Sequence, residues 1–187
     1  DPFFRGPENG RERAKHCSVM KGKGNIMAQD MEARMQALEA QIAELQDREA
    51  LRLLRYRYHE CVNEGKLAEI PDLFTEDGTL DFGYLGKAKG RAELKKFFDG
   101  LPRLLEFVKQ FVHNHVVQVQ GNTGTGFSYL EARTVSKGES YMVAARYDDE
   151  YVKQNGQWKF TKMNLTPYFT VPLREGWAQE DRLKMGR

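Results

Sequence analysis

The stretch 47-DREALRLLRYRYHECVN-63 decides the fold. Leu51, Leu54, Tyr58 and Cys61 recur at three and four residues, so the spacing predicts a helix with one buried face. Asp47 is placed to cap the free amides of its first turn, and Gly65 stands where the helix must stop. Tyr58 and Asn63 bring two polar groups to the end of an otherwise apolar stripe, which marks where a pocket is expected.

Upstream, Met31, Met35, Leu38, Ile42 and Leu45 step by four, three, four and three, a two-heptad seam. Two heptads are marginal alone, so this helix is expected to pack on its own domain or on a neighbouring subunit, with a kink or restart at Asp47 where the phase changes. Residues 1–26 mix Gly, Pro and basic residues without periodicity. Residues 1–30 are therefore read as a disordered tail or upstream segment, with Met27 as the expected natural start.

Downstream, Leu67, Ile70, Leu73 and Phe74 form a short stripe limited by Pro71, Thr75–Gly78 reads as a turn, GTLDFGYLG as a strand or hairpin, and GRAELKKFFDG as a helix. The second half is β-rich: QFVHNHVVQVQ, GFSYLEARTV, SYMVAARYDDEYVK and QWKFTKMNLTPYF are separated by GNTG, SKGE and QNG turn signals. Helices followed by consecutive long strands predict an α+β fold in which a curved antiparallel sheet wraps the N-terminal helices. The domain is expected to span 31–173, with 174–187 a charged tail that docks or frays.

At 187 residues the chain is long enough for one domain with a real core, and 40% apolar content suits a globular protein. The 29 basic and 27 acidic residues leave a net charge of +2 spread in both signs, too weak a field to argue for nucleic acid. Cys17 and Cys61 alone do not make a disulfide framework. No apolar run reaches membrane-span length, so a cytoplasmic protein without a membrane partner is expected.

The order of elements, together with DREALRLLRYRYHECVNEGKLAEIPDLFTEDGTLDFG, GRAELKKFF, GNTGTGFSYLEA and YDDEYVKQNGQWKF, resembles the SnoaL-like branch of the nuclear transport factor 2-like superfamily, over roughly residues 31–168. Within it the N-terminal pattern is most similar to bile-acid 7α-dehydratase, and more distantly to scytalone dehydratase and lindane dehydrochlorinase. The resemblance implies a cone-shaped α+β roll, commonly trimeric, with a hydrophobic pocket between helices and sheet; no cofactor is expected. It also implies a helix Asp and a strand His as acid/base pair, helped by tyrosines. Here the Asp position falls on Asn63, the His position on Gln110 and one supporting Tyr on Phe82; only Tyr58 matches in kind. Neither Asn nor Gln titrates near neutral pH, so neither serves as a general base. Two functions follow as expectations: a dehydratase- or isomerase-like lyase acting on a steroid- or polyketide-like ring compound, or a non-catalytic ligand-binding or assembly subunit. A homo-oligomer is expected in either case, a trimer ahead of a dimer.

Tyr58 is the expected catalytic residue, although a helix Tyr aimed at a core is more often a packing residue. Asn63, Phe82, Gln110, Asn114, Tyr147 and Asn164 are the expected substrate contacts. Asn63 serves equally well as a helix cap, and Asn164 is read as continuing the face of Trp158 and Phe160. Strict alternation places Phe111, His113, His115, Val117 and Val119 on one face of their strand, and Gln110, Val112, Asn114 and Val116 on the other. If Gln110 faces the pocket, both histidines point outward. With Glu131 the one obvious acidic neighbour, His113 and His115 are not expected to hold a metal. In ARYDDEY, Tyr147, Asp149 and Tyr151 point one way, and Arg146, Asp148 and Glu150 the other. GNTGTG lacks the strand-loop-helix context of a phosphate loop.

Overall fold

A computed structural model describes residues 9–184, with side chains from Met27 onward. Its first element is one uninterrupted helix, α1 (Asn9–Asn63), so the restart expected at Asp47 does not occur. Gln46 to Ala50 contain neither Gly nor Pro, so no local residue breaks the backbone ladder. Asp47 caps nothing: its Oδ1 accepts from Trp158 Nε1 at 2.9 Å and from Lys153 Nζ at 2.6 Å, fastening the helix to two strands. The stretch read as a tail over 1–30 enters this helix at Asn9; residues 1–8 lie outside the described residues.

The chain divides at Leu45/Gln46 into two compact units. In the first, the seam residues Met31, Met35, Leu38, Ile42 and Leu45 are each more than half exposed. The second holds the buried core, whose residues run from Leu51 to Val171.

Within the second unit α1 ends as its sequence asks. Gly65 adopts φ +70°, and Lys66 N–H donates to Cys61 C=O at 2.8 Å, the Schellman closure. A 3₁₀ turn (Leu67–Leu73) leads into β1 (Phe74–Asp81), then β2 (Lys87–Lys89), α2 (Gly90–Leu104), β3 (Phe107–Gln120), β4 (Thr123–Ser136), β5 (Glu139–Gln154) and β6 (Gln157–Pro172). They form one curved, open six-stranded sheet ordered β2-β1-β6-β5-β4-β3, with β1 parallel to β6 and every other neighbour antiparallel. The expected α+β architecture is therefore present. Thr75–Gly78 is not a turn; it is a bulge within β1, whose register against β6 jumps from Phe74↔Phe160 to Thr79↔Lys162. The hairpins β4–β5 and β5–β6 close through Lys137-Gly138 and Asn155-Gly156, all four at positive φ, as two-residue turns between twisted strands require.

α2 buries Leu94, Phe98 and Leu101, and the Lys89 N–H donates to Glu93 Oε2 at 2.8 Å at its start. The C-terminal segment docks: Thr170 pairs with Leu183, and the Trp177 ring stacks on Phe169 at 5.2 Å. The core joins Leu51, Tyr58 and Val62 of α1 to Phe74, Leu80, Leu130, Val143, Tyr147, Trp158, Phe160 and Met163 of the sheet.

Two further bulges decide which side chains enter this core. In β3 the register against β4 shifts between His113 and Val116, and Asn114 takes φ +47°. The extra residue reverses the alternation, so Gln110 and His115 both point inward while His113 and Asn114 are exposed. In β6 the pairing with β5 slips between Tyr151↔Phe160 and Glu150↔Lys162, so Met163 takes the core side after Phe160 and Asn164 is turned outward.

Candidate functional site

The last stretch of α1 from Arg55 to Asn63, about two and a half turns, carries the site. Arg55, Tyr58, His59 and Val62 sit three and four residues apart, and all four are buried. The rings of Tyr58, His59 and Tyr147 form a triangle, with centroids 5.2 Å (Tyr58–His59), 5.6 Å (His59–Tyr147) and 6.0 Å (Tyr58–Tyr147) apart. Phe82 closes one side, edge-on to Tyr147 at 5.9 Å and to Phe97 at 5.6 Å. Phe160 stands 6.4 Å from Tyr58 on another.

Gln110 reaches this triangle because Asn63 holds its strand. Asn63 Oδ1 accepts from the Gln110 N–H at 2.7 Å, and Asn63 Nδ2 donates to the Gln110 C=O at 2.9 Å. Asn63 therefore neither caps the helix nor offers its amide to a ligand; it acts as a surrogate strand edge. The Lys109 ammonium donates to the Asn63 C=O beside it. So anchored, Gln110 places Oε1 2.8 Å from His59 Nδ1. An amide oxygen only accepts, so Nδ1 carries the proton and Nε2 keeps its lone pair. That Nε2 is buried without a hydrogen-bond partner, and so is the Tyr147 hydroxyl. The Tyr58 hydroxyl and the Gln110 amide both lie near enough to the Tyr147 hydroxyl to lower its pKa against the effect of burial, although Tyr147 meets neither in full hydrogen-bonding geometry.

Burial, then the Arg55 cation, press the His59 pKa down to about 3, against the hydrogen bond that His59 donates to Gln110, which raises it. The imidazole is therefore neutral at physiological pH. Burial pushes both tyrosines up, Tyr58 well above the ordinary phenol range, so each remains a protonated donor. A neutral acceptor thus lies beside two neutral donors, out of water.

Arg55 supplies the charge behind them. Its guanidinium sits 4.3 Å from the Tyr147 ring, 4.9 Å from Phe160 and 5.3 Å from Tyr58, and it is paired with the Asp149 carboxylate, both side chains fully buried. Burial is the largest single influence on Arg55 and opposes its charge, but Asp149, Tyr151 and Tyr147 together outweigh it and raise the pKa; burial raises Asp149, with Arg55 and Tyr151 pulling the other way. The Tyr151 hydroxyl donates to Asp149 Oδ2 at 2.8 Å and lies 3.1 Å from His115 Nε2. Burial, then Arg55, lower the His115 pKa to about 4. His113 and His115 lie on opposite sides of β3, so they do not form a chelating pair.

Of the expected site residues, Tyr58, Phe82, Gln110 and Tyr147 meet at one place. Asn114 does not join them: it is the exposed bulge residue of β3. Asn164 does not either; with Arg146, Asp148, Glu150 and Lys162 it lines a groove of about 330 Å³ on the outward side of the strands. Arg146 and Asp148 pair there at 2.7 Å, while Tyr147, Asp149 and Tyr151 are buried, as alternation predicts. His59 was not among the expected residues. Its signal is its place four residues after Arg55 and next to Tyr58, but a stripe traced through Leu54 and Cys61 hides it.

The SnoaL-like domain family matches residues 43–164. An uncharacterised protein of Mycobacterium tuberculosis is 23% identical over 132 residues, covering 68% of this chain and 90% of that protein. Among solved structures, a hexachlorocyclohexane dehydrochlorinase of Novosphingobium barchaimii superposes with a TM-score of 0.64 at 21% identity, covering 71% of this chain and 93% of its own. A candidate scytalone dehydratase of Novosphingobium aromaticivorans gives 0.63 at 22% identity, covering 76% and 95%. A Nostoc punctiforme protein of unknown function with a cystatin-like fold gives 0.58 at 22%, covering 65% and 91%. At these identities the solved structures share the fold, and with the family match spanning well over half of its residues, this chain belongs to the SnoaL-like domain family.

Proposed function

We propose that the protein catalyses dehydration or isomerisation of a hydroxylated, largely apolar ring compound of steroid or polyketide type, with the acid/base pair built from His59 and Tyr147. The observation that carries this reading is the partnerless His59 Nε2 beside the partnerless Tyr147 hydroxyl, both buried. Leaving such atoms unpaired costs about 1–3 kcal/mol each, a cost that a ligand offering one donor and one acceptor removes. In a dehydration, Nε2 takes a proton from the carbon next to the carbinol, the C–O bond breaks with its electrons on oxygen, and the Tyr147 hydroxyl protonates the departing oxygen as water. Proton return from imidazolium to tyrosinate resets the site. Gln110 holds the tautomer, Tyr58 donates to a second ligand oxygen, and Phe82 and Phe160 supply apolar walls. The histidine and its partner thus occupy the helix and strand in the reverse of the order implied by the Asp/His resemblance.

A second reading, an apolar-ligand-binding subunit without turnover, is favoured by one observation: a base with a pKa of about 3 is weak. The test is a thermal-shift screen of the full chain against steroids and polyketide-like rings, followed by product analysis of each hit. Consumption of a stabilising ligand, lost about 100-fold or more in His59→Gln, supports the enzyme. A stabilising ligand recovered intact from concentrated protein supports the binding subunit.

A further inference from the structure

The seam on α1 continues upstream by one position, Ala28, and resolves into heptads with Ala28, Met35 and Ile42 at a, and Met31, Leu38 and Leu45 at d. Five of these six are large apolar side chains, each more than half exposed on a helix that the chain itself leaves uncovered. The flanking positions are sorted by charge. The e positions are Glu32, Glu39 and Gln46, and the g positions between them are Arg34 and Gln41.

We infer that this face is a parallel, two-stranded coiled coil with a second copy of the same chain. In a parallel pair the g residue of one heptad meets the e residue of the partner's next heptad, so Arg34 of each chain meets Glu39 of the other, twice by symmetry. An antiparallel pair sets e against e and brings Glu32 to Glu39, a repulsion. The charge pattern therefore fixes orientation. Ile42 at a with Leu38 and Leu45 at d favours two strands over the three that the resemblance implies. Arg34 already pairs with Asp30 one turn earlier at 3.1 Å, but both are largely exposed and that pair is worth little. The seam is short, so association is weak and concentration-dependent. This interface is independent of the His59 cluster, whose residues lie beyond the seam.

The test is the mass of the full chain in solution across a concentration series. The expected value at high concentration is twice the 21.6 kDa chain mass. Leu38→Glu with Ile42→Glu should return the single-chain mass with an unchanged near-ultraviolet tryptophan spectrum, since Trp158 and Trp177 both lie in the β-rich unit. Arg34→Glu alone and Glu39→Arg alone should each weaken the dimer about tenfold, and mixing the two variants should restore it as a heterodimer. Met31→Cys in a Cys17→Ser background should cross-link on oxidation, since a parallel pair places the two copies of residue 31 together. A mass other than two chains at high concentration, a dimer indifferent to the seam substitutions, no rescue on mixing, or a dimer that fails to cross-link overturns the inference.

Discussion

His59 and Asn63 lie four residues apart on one helix and do opposite things because of what faces them. His59 meets only an acceptor at Nδ1, so its other nitrogen is left as a bare acceptor. Asn63 meets a backbone N–H and a C=O, so it is spent on structure. Two predictions belong here. The His59 pKa is depressed from near 6.5 to about 3, so the unfolded chain holds a proton that the folded chain lacks between those values. Stability is therefore full above about pH 6.5 and falls towards pH 3, with this residue contributing up to about 1.4 kcal/mol per pH unit. Urea midpoints measured from pH 7 to pH 4 should fall less steeply for His59→Gln than for the parent; parallel slopes would exclude a buried neutral His59. Asn63→Asp replaces the donor facing the Gln110 C=O with a carboxylate oxygen. It should destabilise by about 1–3 kcal/mol, read as a lower thermal midpoint, rather than restore the acid/base pair that the resemblance implies at that position.

At the scale of elements, the bulge in β3 and the Arg55–Asp149 pair organise the site. Asn114 at φ +47° absorbs the extra residue, and that single insertion turns His115 inward to Tyr151. Asn114→Gly should be neutral or slightly stabilising, whereas Asn114→Val should cost about 1–2 kcal/mol, because a β-branched side chain resists the left-handed region; chemical denaturation distinguishes them. Gly126 faces the same bulge, where a Cβ would stand 2.9 Å from the Val116 carbonyl oxygen, so the backbone there leaves no room for alanine. Removing one member of the Arg55–Asp149 pair strands a charge among aromatic rings. Asp149→Asn and Arg55→Met should each lose about 3–5 kcal/mol, and the double substitution less than the sum of the two, which a double-mutant cycle in urea would measure.

For the whole molecule, the buried core begins at Leu51, and the exposed seam lies in the other unit. A chain beginning at Gln46 should therefore unfold at the same urea midpoint and with nearly the same slope as the full chain, since little apolar surface is lost. A lower midpoint would show that the first forty-five residues contribute to the stability of the sheet unit. Among the described residues no helix is long and apolar enough to cross a membrane.

Periodicity and turn chemistry alone determined that residues 47–63 are helical, the Gly65 stop, the hairpin turns and the four long strands, because each is set by residue spacing and backbone preference a few residues apart along the chain. The continuity of α1 through Asp47 was hidden because the partners of that carboxylate, Lys153 and Trp158, lie more than a hundred residues away. The inward turn of His115 and the outward turn of Asn164 were hidden for another reason: a bulge changes the parity of every residue after it and leaves no periodic mark of its own. His59 was hidden for a third, since a polar residue on a buried helix face reads as a packing defect until the acceptor that orients it, Gln110 on β3, is brought alongside by the sheet. Local order was written in local sequence, and the site, made of residues from α1, β3 and β5, existed only once the strands had chosen their register.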